Sequence, residues 1–155
     1  NTSMVNCITT GFRLITGNEW ELAARYRGGD DSYGAYLYPA GSGNWWSPGD
    51  FACGATADYT DTSATGLVAW YIANYTTGSH IVKLKKPNIL GLYDMSGNAM
   101  EYCFDWHPLN TGSYRLKHGG YFNAAADLIQ VGYAYFNTKP QSQVGGTNFR
   151  LARTE

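Results

Sequence analysis

Apolar residues recur at three- and four-residue spacing in Trp20, Ala23 and Ala24, the period of one helix face. Thr16 and Glu19 precede that run at capping-box spacing: the hydroxyl satisfies an orphan amide of the first turn, and the carboxylate reaches back to the cap amide. With Gly28-Gly29 as a stop, the pattern predicts a helix over 17–27. Just before it, Gly11-Phe12-Arg13-Leu14 alternates as a strand does, with Phe12 and Leu14 on one face. From 28 to 78 the periodicity stops. The text there is Gly, Ser, Thr, Pro and Tyr, its only charges are Asp30, Asp31, Asp50, Asp58 and Asp61, and a short apolar piece lies around 67–72. So long an irregular stretch normally counts against a compact domain. Tyr36, Tyr38, Trp45, Trp46 and Trp70 within it predict loops packed down by their own side chains. Asp58 and Asp61 match no calcium-loop spacing and read as solvated turn residues.

Beyond the loops, Lys83, Lys85 and Lys86 alternate with Val82 and Leu84, which reads as an edge strand with its lysines outward. Short strands are then expected over 103–106, 114–118, 129–135 and 147–152, separated by Gly or Pro turns. Phe12-Arg13-Leu14 recurs as Phe149-Arg150-Leu151, so a strand near each end of the chain has the same in/out pattern and the two are candidates to pair. The whole reads as an α+β domain with one good helix, several short strands and much ordered loop.

Composition narrows the function classes. Charged residues are 15% of the 155, where roughly a quarter is usual, while aromatics also reach 15%, with 19 Gly and 13 Tyr. That aromatic density excludes a disordered polyelectrolyte. A net charge of −1 gives no global field toward a phosphate backbone, which argues against nucleic acid as a partner. No apolar run approaches the roughly 20 residues that span a bilayer, so no membrane insertion is expected. Cys7, Cys53 and Cys103 are widely spaced, form no Cys-x-x-Cys pair and read as buried small apolar side chains. His80, His107 and His118 lack the spacing of a metal-binding helix and read as surface or loop residues, so no metal is expected.

Several motifs, in order, resemble one known family: Gly11-Phe-Arg-Leu; Asn18-Glu-Trp-Glu-Leu-Ala-Ala-Arg; Leu37-Tyr-Pro; Pro87 through Tyr102 with its Ser96-Gly-Asn-Ala-Met-Glu core; Arg115-x-x-x-Gly-Gly; and Asn148-Phe-Arg-Leu-Ala-Arg. They resemble the formylglycine-generating enzyme, or sulfatase-modifying factor, family. The resemblance implies a C-type-lectin-like fold, which suits the long irregular middle. It also implies that 1–155 is the C-terminal part of a single domain whose N-terminal stretch is not in this sequence. In the family's enzymes two cysteines after the Gly-Gly pair bind copper, a soft-ligand site. The matching positions here are Ala124 and Ile129, which cannot ligate copper, and Cys103 lies before the motif. No cofactor and no catalysis are therefore expected. Glu101, beside Asn98, matches the family's Gly-Asn-x-x-Glu and reads as structural.

The segment 121–148 has two charges, Asp127 and Lys139, and five aromatics among small polar residues. That is the palette of antibody paratopes. The resemblance adds that one branch of the family serves as the variable proteins of diversity-generating retroelements, whose segment between the Gly-Gly pair and the closing Phe-Arg-Leu is mutagenised at template adenines to form a ligand-binding surface. Residue types such a template cannot produce (Lys, Gln, Glu, Met, Trp) occur four times in 121–148, at Gln130, Lys139, Gln141 and Gln143, against fifteen times in 1–120. The two rates are about equal, so composition does not support diversification of the whole segment. The expected contact face is Tyr121, Phe122, Asn123, Ala125, Asp127, Leu128, Tyr133, Tyr135, Phe136 and Asn137, with Val131 and Phe149 as core. The expected partner is an unidentified protein or cell-surface ligand, met at a cell or virion surface. The competing readings are a structural or regulatory paralogue, a copper-dependent oxidase, and last a sugar binder, for which the calcium-carbohydrate Glu-Pro-Asn and Trp-Asn-Asp motifs are missing.

Overall fold

A computed structural model describes residues 11–28, 46–109, 111–135 and 146–154. Cys7, Asp30, Asp31, Tyr36, Tyr38, Trp45, Phe136, Asn137, Lys139, Gln141, Gln143 and the Leu37-Tyr-Pro motif lie outside the described residues.

The capping box forms as the spacing predicts. Thr16 Oγ1 accepts from Glu19 N–H and the Glu19 carboxylate accepts from Thr16 N–H, opening helix α1 at Gly17–Arg25. The helix ends two residues before the expected 27, because Tyr26 turns extended to bridge Trp46. A second helix, α2, runs Thr62–Val68, capped by Asp61, whose carboxylate accepts from Ser63 and Ala64 N–H. Where the sequence suggested solvated turn residues and a short apolar piece, Asp61 is a helix cap and Val68 a core residue.

The described strands are β1 (Gly11–Leu14), β2 (Met100–Trp106), β3 (Arg115–His118), β4 (Ala134–Tyr135), β5 (Thr147–Phe149) and β6 (Leu151–Thr154). They make a two-stranded β1–β6 ribbon and a sheet in the order β4-β3-β2-β5. β1 and β6 pair antiparallel as the repeated Phe-Arg-Leu suggested, but the second copy is not one strand. It breaks at Arg150, leaving Phe149 on β5 beside β2 and Leu151 on β6 opposite Leu14. Phe149, expected in the core, is 62% exposed.

Two other expectations are corrected. The lysine run is not a strand: Lys83 is left-handed (φ 67°) and donates its N–H to Asp94, while Lys85 lies over the Trp70 ring at 3.8 Å. Nor is 129–135 one strand. Val131 N–H goes to Phe51 O and Gly132 packs backbone to backbone on Gly49, so that only Ala134–Tyr135 joins β3.

Residues alternate across the four-stranded sheet. Glu101, Cys103 and His118 face α1, where Trp20 stacks on His118 at 4.7 Å and joins Ile15, Ala24, Cys53, Met95 and Val131 in one core cluster. A second cluster gathers Ala52, Ala55, Val68, Ala69, Tyr71, Ala124 and Ile129. Gly97 (φ 72°) sits where a Cβ would strike the Trp70 backbone, which lets the 96–98 turn close on both clusters.

Candidate ligand-binding face

β3 ends at Gly119-Gly120, both left-handed (φ 88° and 68°), and a Cβ on Gly119 would lie 2.7 Å from Met95 O. This turn delivers the chain to Tyr121. Phe122 N–H is fixed on Asn98 O at 3.1 Å and Ala124 O accepts from Ile72 N–H at 3.1 Å. Ala124 and Ile129 are both buried in the second core cluster. Ser96 Oγ donates to Ile129 O at 2.8 Å and accepts from Cys53 N–H at 2.9 Å. Between these anchors a single 3-10 turn, Ala126–Leu128, brings Ala125 and Asp127 out to solvent.

The structure places the predicted contact residues at different depths. Tyr121, Phe122, Asn123 and Leu128 are half-buried, and Ala125, Asp127 and Tyr133 are exposed. Tyr121 and Phe122 meet edge to face at 6.0 Å, and Tyr133 and Tyr135 likewise at 4.8 Å. Tyr135 is a correction: it is buried, its hydroxyl donates to Leu128 O at 2.9 Å, and burial raises its phenol above the ordinary range. It holds the loop from beneath and presents no open ring. Tyr75, absent from the predicted set, stands 5.7 Å from Phe122. Its signal was an aromatic inside an otherwise Gly-, Ser- and Thr-rich stretch, which gives no hint of which distant segment it meets.

The titratable groups are placed for structure. Glu101 is buried, accepts from Trp20 Nε1 at 2.7 Å, and takes two hydrogen bonds from Arg150, at 2.6 and 3.0 Å. Cys53 and Cys103 are buried free thiols, and burial pushes each up to about 12, so neither supplies a thiolate at neutral pH. His118, expected at the surface, is buried, and desolvation lowers its pKa. His80 stacks on Trp70 at 3.8 Å, and His107 Nδ1 accepts from Leu109 N–H. Among the described residues no three His, Cys, Asp or Glu side chains gather as metal ligands, and no helix is long and apolar enough to cross a membrane.

The sulfatase-modifying factor enzyme 1-like domain matches residues 2–155. The chain belongs to that family. Its α+β fold is the family's C-type-lectin-like fold. Among relatives of this family member, the chaperone protein LppX of Paenibacillus barcinonensis is 33% identical over 145 residues, which cover 85% of this chain and 46% of LppX. The formylglycine-generating enzyme of Thermomonospora curvata is 30% identical over 178 residues, covering 98% of this chain and 52% of the enzyme. Among solved structures, Treponema denticola variable protein 1 superposes with a TM-score of 0.68 at 32% identity, covering 93% of this chain and 48% of that one. The chain thus spans about half the length of these relatives. The likeness to a variable protein agrees with the branch to which the motifs pointed.

Proposed function

We propose that the chain is a non-catalytic binding domain whose ligand face is built on the segment 121–148, working at a cell or virion surface. The observation that carries this reading is the division of labour within the segment. Ala124, Ile129, Val131 and Tyr135 are buried, while Ala125, Asp127 and Tyr133 between them point outward. A buried frame with outward positions between its pegs is what a display surface requires, because the outward residues change without disturbing the core. The likeness to a variable protein supports the same reading, and so does the motif resemblance, which puts Ala124 and Ile129 where the family's enzymes carry their copper ligands.

The likeness to formylglycine-generating enzymes defines the test. The chain is incubated with Cu(I), oxygen and a cysteine-containing peptide, and the peptide is weighed by mass spectrometry. No conversion of cysteine to aldehyde is expected; copper-dependent conversion overturns the reading. A comparison of coding sequences from closely related genomes then separates a variable receptor from a fixed paralogue. Differences clustered in 121–148 support the receptor, and differences spread evenly along the chain support the paralogue.

A further inference from the structure

A second surface lies outside that segment, on the sheet face turned away from α1. Tyr102, Phe104 and Trp106 share that face of β2, and Arg115 of β3 pairs with Trp106. The Arg115 guanidinium lies 3.7 Å from the Trp106 ring centroid and 5.2 Å from that of Phe104. Its Nη1 is covered, and no ion pair of the described residues includes Arg115, so the charge is left to its outward nitrogens. The rings beneath it are open: Phe104 is 57% and Trp106 36% exposed. Trp106 also borders a cleft of about 520 Å³, but that cleft opens on the α1 side, where Gly17, Asn18, Asp105 and Leu116 line it.

These features fit together chemically. A guanidinium stacked on aromatic rings is held in one orientation, so little side-chain entropy is lost when it meets a planar acceptor. A carboxylate matches its fork with two parallel hydrogen bonds. Trp with Arg in an open apolar setting is also the composition of a binding hot spot. A nucleic acid strand is disfavoured, because the chain's net charge is −1 and the next cation along the face, Lys117, is fully covered.

We propose that this face docks a partner polypeptide through an acidic side chain seated on Arg115, with a neighbouring apolar side chain on Phe104 and Trp106. The site is independent of the 121–148 face, and residues altered to test it leave that segment intact.

A displayed library of random dodecapeptides selected on the intact chain tests the proposal. Enriched peptides are expected to carry Asp or Glu within two positions of an aromatic or aliphatic residue. Their affinity is expected to fall about tenfold or more with Arg115→Gln and with Trp106→Leu. Arg115→Lys keeps the charge without the fork, is the variant used should Arg115→Gln not fold, and is expected to fall short of wild type by severalfold. An unchanged melting temperature shows that the fold is intact. No enrichment, enriched peptides without an acid, indifference to these substitutions, or a patch that instead binds a single-stranded oligonucleotide overturns it.

Discussion

Glu101 is the residue on which two long-range contacts converge. Its carboxylate ties α1 through Trp20 to β2, and the end of β5 through Arg150, which also donates to Tyr93 O. Removing the cation leaves a buried carboxylate without its counter-charge. Arg150→Ala is therefore expected to cost about 3–5 kcal/mol, measured by urea denaturation. Paired Glu101→Leu and Arg150→Met substitutions are expected to recover a large part of that loss, because the charge that needed compensation is gone. The thiols supply a second residue-scale prediction. In a Cys7→Ser chain, Cys53 and Cys103 are expected to resist a thiol reagent at pH 8 and to react stoichiometrically only in denaturant. Burial raises both toward about 12 from an ordinary 9, so their contribution to stability is full below pH 9 and falls as pH rises toward 12. A steep loss of stability over that interval, smaller in a Cys103→Ala variant, checks the sign.

At the scale of elements, α1 depends on its first turn. Arg13 and the capping contacts hold the Glu19 carboxyl at about 2 against an ordinary 4.5. The stability it adds is complete above pH 4.5 and is lost as pH falls toward 2. The acid transition of a Glu19→Gln chain is therefore expected to be shallower than wild type over that window, followed by helical circular dichroism. This element was legible in the sequence because its signals are local: a cap, a carboxylate three residues on and an apolar stripe. α2 carries the same kind of signal, since Asp61 caps it. Its short, Thr- and Gly-containing body has weak helix propensity, and the cap reads as a turn. The lysine run and 129–135 failed for a different reason. Alternation predicts a strand only if a neighbour offers a ladder, and these segments spend their backbone groups on Asp94, Leu67 and Phe51 instead. Phe149 reads as core from its type, but Arg150 turns inward beside it to Glu101, 49 residues away, and leaves the ring outside.

For the whole molecule, the question is whether a lectin-like scaffold of this size tolerates variation on one face. Gly119-Gly120 and the parallel seat of β5 on β2 fix the two ends of 121–148. The pegs between them follow no simple period: Ala124, Ile129, Val131 and Tyr135 are spaced five, two and four apart. Irregular spacing of this kind hides a face from a sequence reading, which is why the buried Tyr135 reads as a contact residue. It also makes a quantitative expectation possible. Multiple substitutions at Ala125, Asp127 and Tyr133 are expected to move stability by about 0.5 kcal/mol or less each, the range of ordinary surface changes. Ala124→Asp or Ile129→Asp puts a carboxylate without a counter-charge among Val68, Ala69 and Tyr71, and is expected to leave little folded protein. A display library randomised at the two sets of positions and sorted for folded chains separates them. If the exposed set is depleted as strongly as the buried set, the segment is an integral part of the core rather than a surface carried by it, and a variable binding face cannot be built there.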